Sequence, residues 1–283
     1  MSNTDPPAPN QHHTPTSHER PRATPTSVIP CQPPDPPRSS NGATTMLSSP
    51  ASARRGPLLA VCGLCGGAGA STLAYLTALA AARRDNGAVL VADTGGPTAG
   101  ISHYAGAETP RSLSEVSELL AASLPIGQLL ATTGDGLRVL ATGPRLAADF
   151  ARDGIELLLD HARRRYALTV IDCATLAREA DQIALASATH VAWVLTATAG
   201  AASRGRQLLD AIAPHQSGRE MLVARHEPRD RRKALRELRD LARHRRALLI
   251  LLPSVPELAT GNADAALETA QVPLQAILGA LGR

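Results

Sequence analysis

The chain has 283 residues and a formal net charge of +4, and 12 of its 22 prolines fall before residue 51, where Ser, Thr, Asn and His dominate and apolar runs are absent. Such a segment cannot bury enough apolar surface to offset the entropy of ordering it, so residues 1–56 are expected to form a disordered tail and residues 57–283 one α/β domain. No run approaches the ~18 apolar residues that a membrane-spanning helix needs, the N-terminus lacks the basic start and apolar stretch of a signal peptide, and four cysteines are too few for a disulfide framework; a cytoplasmic protein is expected.

Within the tail, the string PPDPPR from Pro33 to Arg38 suits a polyproline II segment read by a partner's aromatic groove. It equally suits a solvated linker, the better reading because no arginine-flanked repeat reinforces it. From Leu58 onward, apolar runs recur at Leu58 to Cys62, Ala88 to Ala92, Leu137 to Ala141, Leu168 to Ile171, Val191 to Leu195, Met221 to Ala224 and Leu248 to Leu252. Continuous apolar runs mark strands covered on both faces, hence a mainly parallel sheet. Helical patterns separate them: Ser71 to Arg84, Ser112 to Ala122, Ile155 to Arg165, Arg178 to Ala186, Ala201 to Ile212, Arg231 to Arg245 and a last one near Pro273 to Leu281. Such alternation predicts a doubly wound α/β fold.

The most informative stretch follows the first strand, where glycines at 63, 66, 67 and 69 precede Ser71 and Thr72 at the start of an alanine-rich helix. Glycines let the backbone turn so that successive N–H groups converge on a phosphate, and the helix N-terminus adds partial positive charge. Strand, loop and helix in this order are the context that a phosphate loop requires. A tight turn that packs without any ligand is the alternative.

The string CGGAGAST, Cys65 to Thr72, resembles the deviant Walker A loop of the MinD/ParA ATPases, KGGxGK[TS]T, with Gly66, Gly67, Gly69, Ser71 and Thr72 matching. The two lysine positions do not match: Cys65 stands at the signature lysine and Ala70 at the phosphate-binding lysine, and the only lysine of the chain is Lys233. A loop ending GAST is also similar to the CpaE/TadZ-like branch and to septum-site-determining-protein-like relatives of MinD.

The resemblance implies a phosphate-loop NTPase fold, with ATP or ADP held by Gly66, Gly67, Ala68, Gly69, Ala70, Ser71 and Thr72. It further implies Mg²⁺ held directly by Ser71 and, through water, by Asp172 in the position of the Walker B aspartate. Asp93 stands at the first aspartate of the family's DxD switch, whose second position is Gly95 here, so Asp93 is a candidate catalytic group and little or no hydrolysis is expected. The strings MLVARHEPRD from Met221 and LLPSVPEL from Leu251 resemble the strand and loop that flank the base, with Ala224 where an adenine-reading asparagine often stands. Homodimerisation, protein partners and work in positioning, partition or assembly of a cellular machine are implied as well, at the membrane or nucleoid surface.

Three further readings compete. Cys62 and Cys65 form a C-x-x-C, but the following glycine string has no role in thioredoxin-type chemistry; Cys173 is expected near Cys65, without the spaced partners a metal would need. An active ATPase would need an arginine in place of the lysines, for which Arg83, Arg84 and Arg178 are candidates. The segment Arg229 to Arg246 carries nine basic residues against three acidic ones, so Arg231, Arg232, Lys233, Arg236, Arg239 and Arg243 could meet DNA or anionic lipid. Alternatively they form the solvated face of a packed helix, offset by Glu237 and Asp240. The last helix has Leu274, Ile277, Leu278 and Leu281 on one stripe and few cations, and packing is expected rather than membrane contact.

Overall fold

A computed structural model describes residues 55–85, 88–94, 100–106, 113–123, 130–140, 152–173, 176, 178–198, 200–212, 218–226 and 232–283. The tail string Pro33 to Arg38, Gly95 and Arg231 lie outside the described residues.

Strand β1 (Leu58–Gly63) is wholly apolar up to its glycine, and its side chains alternate between two buried layers. Leu58, Ala60 and Cys62 join the core on one face, Leu59 and Val61 the core on the other. Helix α1 (Ala70–Asp85) follows the glycine loop and buries nine residues, most of them alanine and leucine, so its backbone lies close to the sheet. Next come β2 (Val89–Asp93), the short α2 (Gly100–Ala105), α3 (Leu113–Ala121), β3 (Ala131–Thr132) and β4 (Arg138–Leu140). The chain continues through α4 (Arg152–Arg165), β5 (Leu168–Cys173), α5 (Glu179–Ser187), β6 (His190–Thr196), α6 (Ala201–Ile212), β7 (Glu220–His226), α7 (Arg232–Arg245) and β8 (Leu248–Pro253). A 3₁₀ turn at Pro256–Thr260, α8 (Ala263–Thr269) and α9 (Gln271–Ala280) complete it.

The eight strands lie in the order β3-β4-β2-β5-β1-β6-β7-β8. All pairs are parallel except β3 with β4. Core residues of α1, α8 and α9 cover one face, and those of α3 to α7 the other. After β1 the chain moves to β2 on one side and later returns to β6 on the other, so the end of β1 is where strand order switches direction. Crevices at such switch points, beyond the C-terminal ends of the strands, are where open α/β sheets bind ligands.

The mainly parallel doubly wound sheet agrees with the apolar runs, and α9 buries Leu274, Ile277 and Leu278, with Leu281 buried just after it, as expected of a packing helix. Short elements differ. A two-residue β3 has no room for a periodic signal, and α2 buries only Ile101. Helix α8 starts at Asn262, whose side-chain oxygen accepts from the Ala265 amide at 3.1 Å, a capping bond within an alanine-rich segment.

Among the described residues of the basic segment, one cation is buried. Arg245 forms a two-pronged pair with Glu220 at the start of β7, Nε to Oε2 at 2.9 Å and Nη2 to Oε1 at 2.6 Å, with both side chains at most 2% exposed. Removing one partner strands the other charge away from water, which costs about 3–5 kcal/mol, whereas replacing both by apolar groups costs far less. Urea unfolding should therefore show Arg245→Ala destabilised by about that amount, and Arg245→Met combined with Glu220→Leu destabilised by clearly less than the sum of the single changes.

Candidate functional site

Strand β1 hands over to the loop through a backbone bond from the Leu64 amide to the Val194 carbonyl of β6, 2.8 Å. Gly67 and Gly69 take φ of +68° and +96°, the left-handed region that L side chains rarely adopt. Ala68 is buried between them, and the Leu73 amide bonds back to the Gly69 carbonyl at 2.9 Å, opening α1. The amides of Ala70, Ser71 and Thr72 therefore precede the first helical bond and are free of intrahelical partners. Gly100 of α2 lies against this turn, since a Cβ there would stand 3.4 Å from Cβ of Ser71.

Beneath the loop are buried carboxylates. Asp172, at the end of β5, is 1% exposed and pairs in register with Val61 of β1 and with Asp93 of β2, itself fully buried. Burial pushes the Asp172 carboxyl up to about 6; a hydrogen bond from Ser71 opposes this and the neighbouring Asp181 adds to it. Its Oδ1 is buried without a hydrogen-bond partner among the described residues. Asp181 also titrates above the usual carboxylate range because of burial, although it accepts bonds from the Thr94 hydroxyl and the Arg178 amide.

Of the proposed lysine substitutes, Arg178 donates to the Thr94 carbonyl at 2.8 Å and ties the end of β2 to the start of α5. Arg83 pairs with Asp135 at 2.9 Å and Asp264 at 2.6 Å; it lies 13 residues beyond Ala70, about 20 Å along the helix. Arg84 is its exposed neighbour on the same last turn. These positions do not serve the loop.

The arginine that reaches the loop is one the sequence analysis passed over. Arg225, near the end of β7, donates from Nη1 to the Gly67 carbonyl at 2.6 Å, and a Cβ added at Gly69 would stand 3.8 Å from its Cδ. It lines a cavity of about 180 Å³ with Gly69, Thr72, Tyr104 and residues from Leu252 to Pro256. The Tyr104 hydroxyl lies 3.3 Å from that of Thr72, and its ring is 5.9 Å from Tyr75. The available signal was adjacency: Arg225 directly follows Ala224, the position already matched to a base contact.

The remaining candidates separate from the loop's chemistry. Cys173 is the register partner of Cys62, not of Cys65; Cys62 and Cys173 are buried while Cys65 is exposed. Hydrogen bonding to Cys62 and burial push the Cys173 thiol well up, which makes it unreactive. No group of three His, Cys, Asp or Glu among the described residues could hold a metal by itself. On α7, Leu238 and Leu241 are buried while Arg232, Lys233, Arg236, Arg239 and Arg243 are exposed, with Arg243 paired to Asp240 at 2.5 Å.

The raised Asp172 carboxyl makes stability depend on pH. The folded chain holds this proton up to about pH 6, whereas an unfolded chain releases it near ~3.9. The destabilisation is thus absent below about pH 4 and full above about pH 6. In chelator-treated buffer, Asp172→Asn is expected to be more stable than the parent at pH 8 by roughly 1–3 kcal/mol and closer to it at pH 4.5, as measured by urea unfolding at the two pH values.

No protein-family model matches the sequence, and no curated protein matches it. Solved structures do. The ParA family ATPase from Chlorobium tepidum TLS superposes with a TM-score of 0.66 at 14% identity, covering 78% of this chain and 96% of the other. A McdA variant of Cyanothece in complex with ATP gives 0.61 at 13% identity, over 81% and 97% of the two chains. MinD in the MinC:MinD cell division complex of Aquifex aeolicus gives 0.60 at 13% identity, over 79% and 96%. With its glycine loop at the end of the central β1, the chain has the fold of the ParA and MinD phosphate-loop ATPases.

Proposed function

We propose that this protein is a nucleotide-binding, partner-regulated relative of the ParA and MinD proteins that hydrolyses ATP little or not at all. In this reading it acts in the cytoplasm in positioning, partition or assembly of a cellular machine. The observation that carries the nucleotide reading is Asp172. A buried carboxylate with an oxygen lacking a partner, joined by Ser71 to a loop of left-handed glycines, is costly in a turn that binds nothing. Beside a cation it is favourable.

The residues present fit a magnesium nucleotide. The amides of Gly67 and of Gly69 to Thr72 and the Ser71 and Thr72 hydroxyls would donate to phosphate oxygens, the Ala68 amide being held by the Cys65 carbonyl, and Ser71 with Asp172 would hold Mg²⁺, directly and through water. Bound Mg²⁺ supplies charge neutralisation for the phosphates. Phosphoryl transfer is accelerated mainly by positioned positive charge, and Cys65 and Ala70 provide none at the two positions where the resembled family has lysine. ATP bound in a McdA structure and MinC bound to MinD support a reading in which nucleotide occupancy governs association with a second copy or a protein partner.

Calorimetry on the full chain with ATP or ADP and Mg²⁺ should detect binding that is lost in Ser71→Ala and Asp172→Ala, with no turnover above background. Absence of binding at millimolar ATP would reduce the fold to a scaffold. The exposed cations of α7 favour an anionic partner surface, either DNA phosphates or acidic lipid. If so, affinity for a mixed-sequence duplex should fall steeply with salt and drop when Arg232, Arg236 and Arg239 are changed to Gln; unchanged affinity would assign that face to solvent alone.

A further inference from the structure

We infer that Arg225 is the cation of this phosphate loop: it supplies from β7 the phosphate-binding charge that Ala70 does not supply from α1. The inference rests on the nucleotide reading above and adds to it the residue that holds the phosphates. Among the described residues, Arg83 is committed to Asp135 and Asp264, Arg55 to Asp160, and Arg178 to the Thr94 carbonyl. Arg225 instead crosses from a strand two places away in the sheet, in the order β1-β6-β7, to bond the Gly67 carbonyl.

Its chemistry suits the task. A guanidinium has five N–H donors, and the bond to Gly67 uses one. The side chain is half-buried and makes no ion pair among the described residues. Its stem passes Gly69, so its head is placed beside the same turn whose amides face a phosphate. Planar, permanently charged and able to bond two oxygens at once, an arginine here binds phosphate more directionally than a lysine would. The bond to Gly67 also holds the guanidinium in place before any ligand arrives, which lowers the entropy lost on binding. Arg225 also borders a cavity of about 180 Å³ with Tyr104, Pro253 and Val255, so a phosphate contact and a nucleoside contact have to be separated by experiment.

The test compares adenosine, ADP, ATP and inorganic pyrophosphate, each with Mg²⁺, on the full chain and on Arg225→Gln, Arg225→Lys and Arg225→Gln combined with Ala70→Lys. Circular dichroism and thermal unfolding verify that each variant is folded. The expected result is a ten- to hundred-fold loss of affinity for ADP, ATP and pyrophosphate in Arg225→Gln, with adenosine unaffected. Arg225→Lys should retain part of the affinity, and Ala70→Lys should restore it in the Gln background. Equal loss for adenosine would make Arg225 a base contact, unchanged phosphate affinity would make it structural, and tighter binding by Arg225→Gln would make it a plug of the loop. Each of these overturns the inference and leaves nucleotide binding standing. If the parent chain binds none of the four ligands, the nucleotide reading itself falls.

Discussion

The turn from β1 into α1 is the constraint on which the C-terminal edge of the sheet depends. A strand flanked on both sides by parallel neighbours must leave the sheet at its end, and here it leaves through Gly67 and Gly69 in conformations that a side chain would strain. The turn fixes where the first amides of α1 face, where Ser71 meets Asp172, and how closely α2 packs. Because α1 is largely alanine and leucine on its buried side, its axis lies near the sheet and the loop has little freedom to lift.

Charge at this edge is distributed unlike that of a lysine-bearing loop. Three buried carboxylates, Asp93, Asp172 and Asp181, gather at the ends of β2 and β5 and the start of α5. Opposite them the loop offers amide dipoles and Arg225. Burial penalises ionised Asp172 and Asp181, for Asp181 partly offset by the neighbouring Arg178, and a ligand that brought a metal ion would relieve Asp172. In the reading proposed above, such a site would bind through what the ligand carries as much as through what the chain supplies.

Much of this was legible in the sequence. The seven long apolar runs became the seven longer strands; in the inner strands continuous burial on both faces leaves such a pattern, whereas the edge strand β8 keeps its run with Leu248 and Leu251 exposed. The glycine loop was legible because its chemistry is local, and Asp172 because it ends a strand. Contacts between distant segments were not legible. Adjacency to Ala224 pointed at Arg225, but not at a side chain that spans to Gly67; helical spacing puts Arg245 on the stripe of Leu238 and Leu241, but only the sheet brings Glu220 to it. Arg83, Arg84 and Arg178 were available in the sequence, but the sheet order brings Arg225 to the loop instead. Sheet pairing places Cys173 beside Cys62.

The scarcity of aromatic residues has a practical side. Trp193, the sole tryptophan, is 1% exposed in β6 and pairs in register with Cys62 of β1, while the next residue, Val194, accepts the bond that anchors the glycine loop. The molecule thus carries one native fluorophore at the centre of its sheet, shielded from water and one residue from the loop's anchor. Its emission spectrum is a built-in optical gauge of that junction, readable without any label.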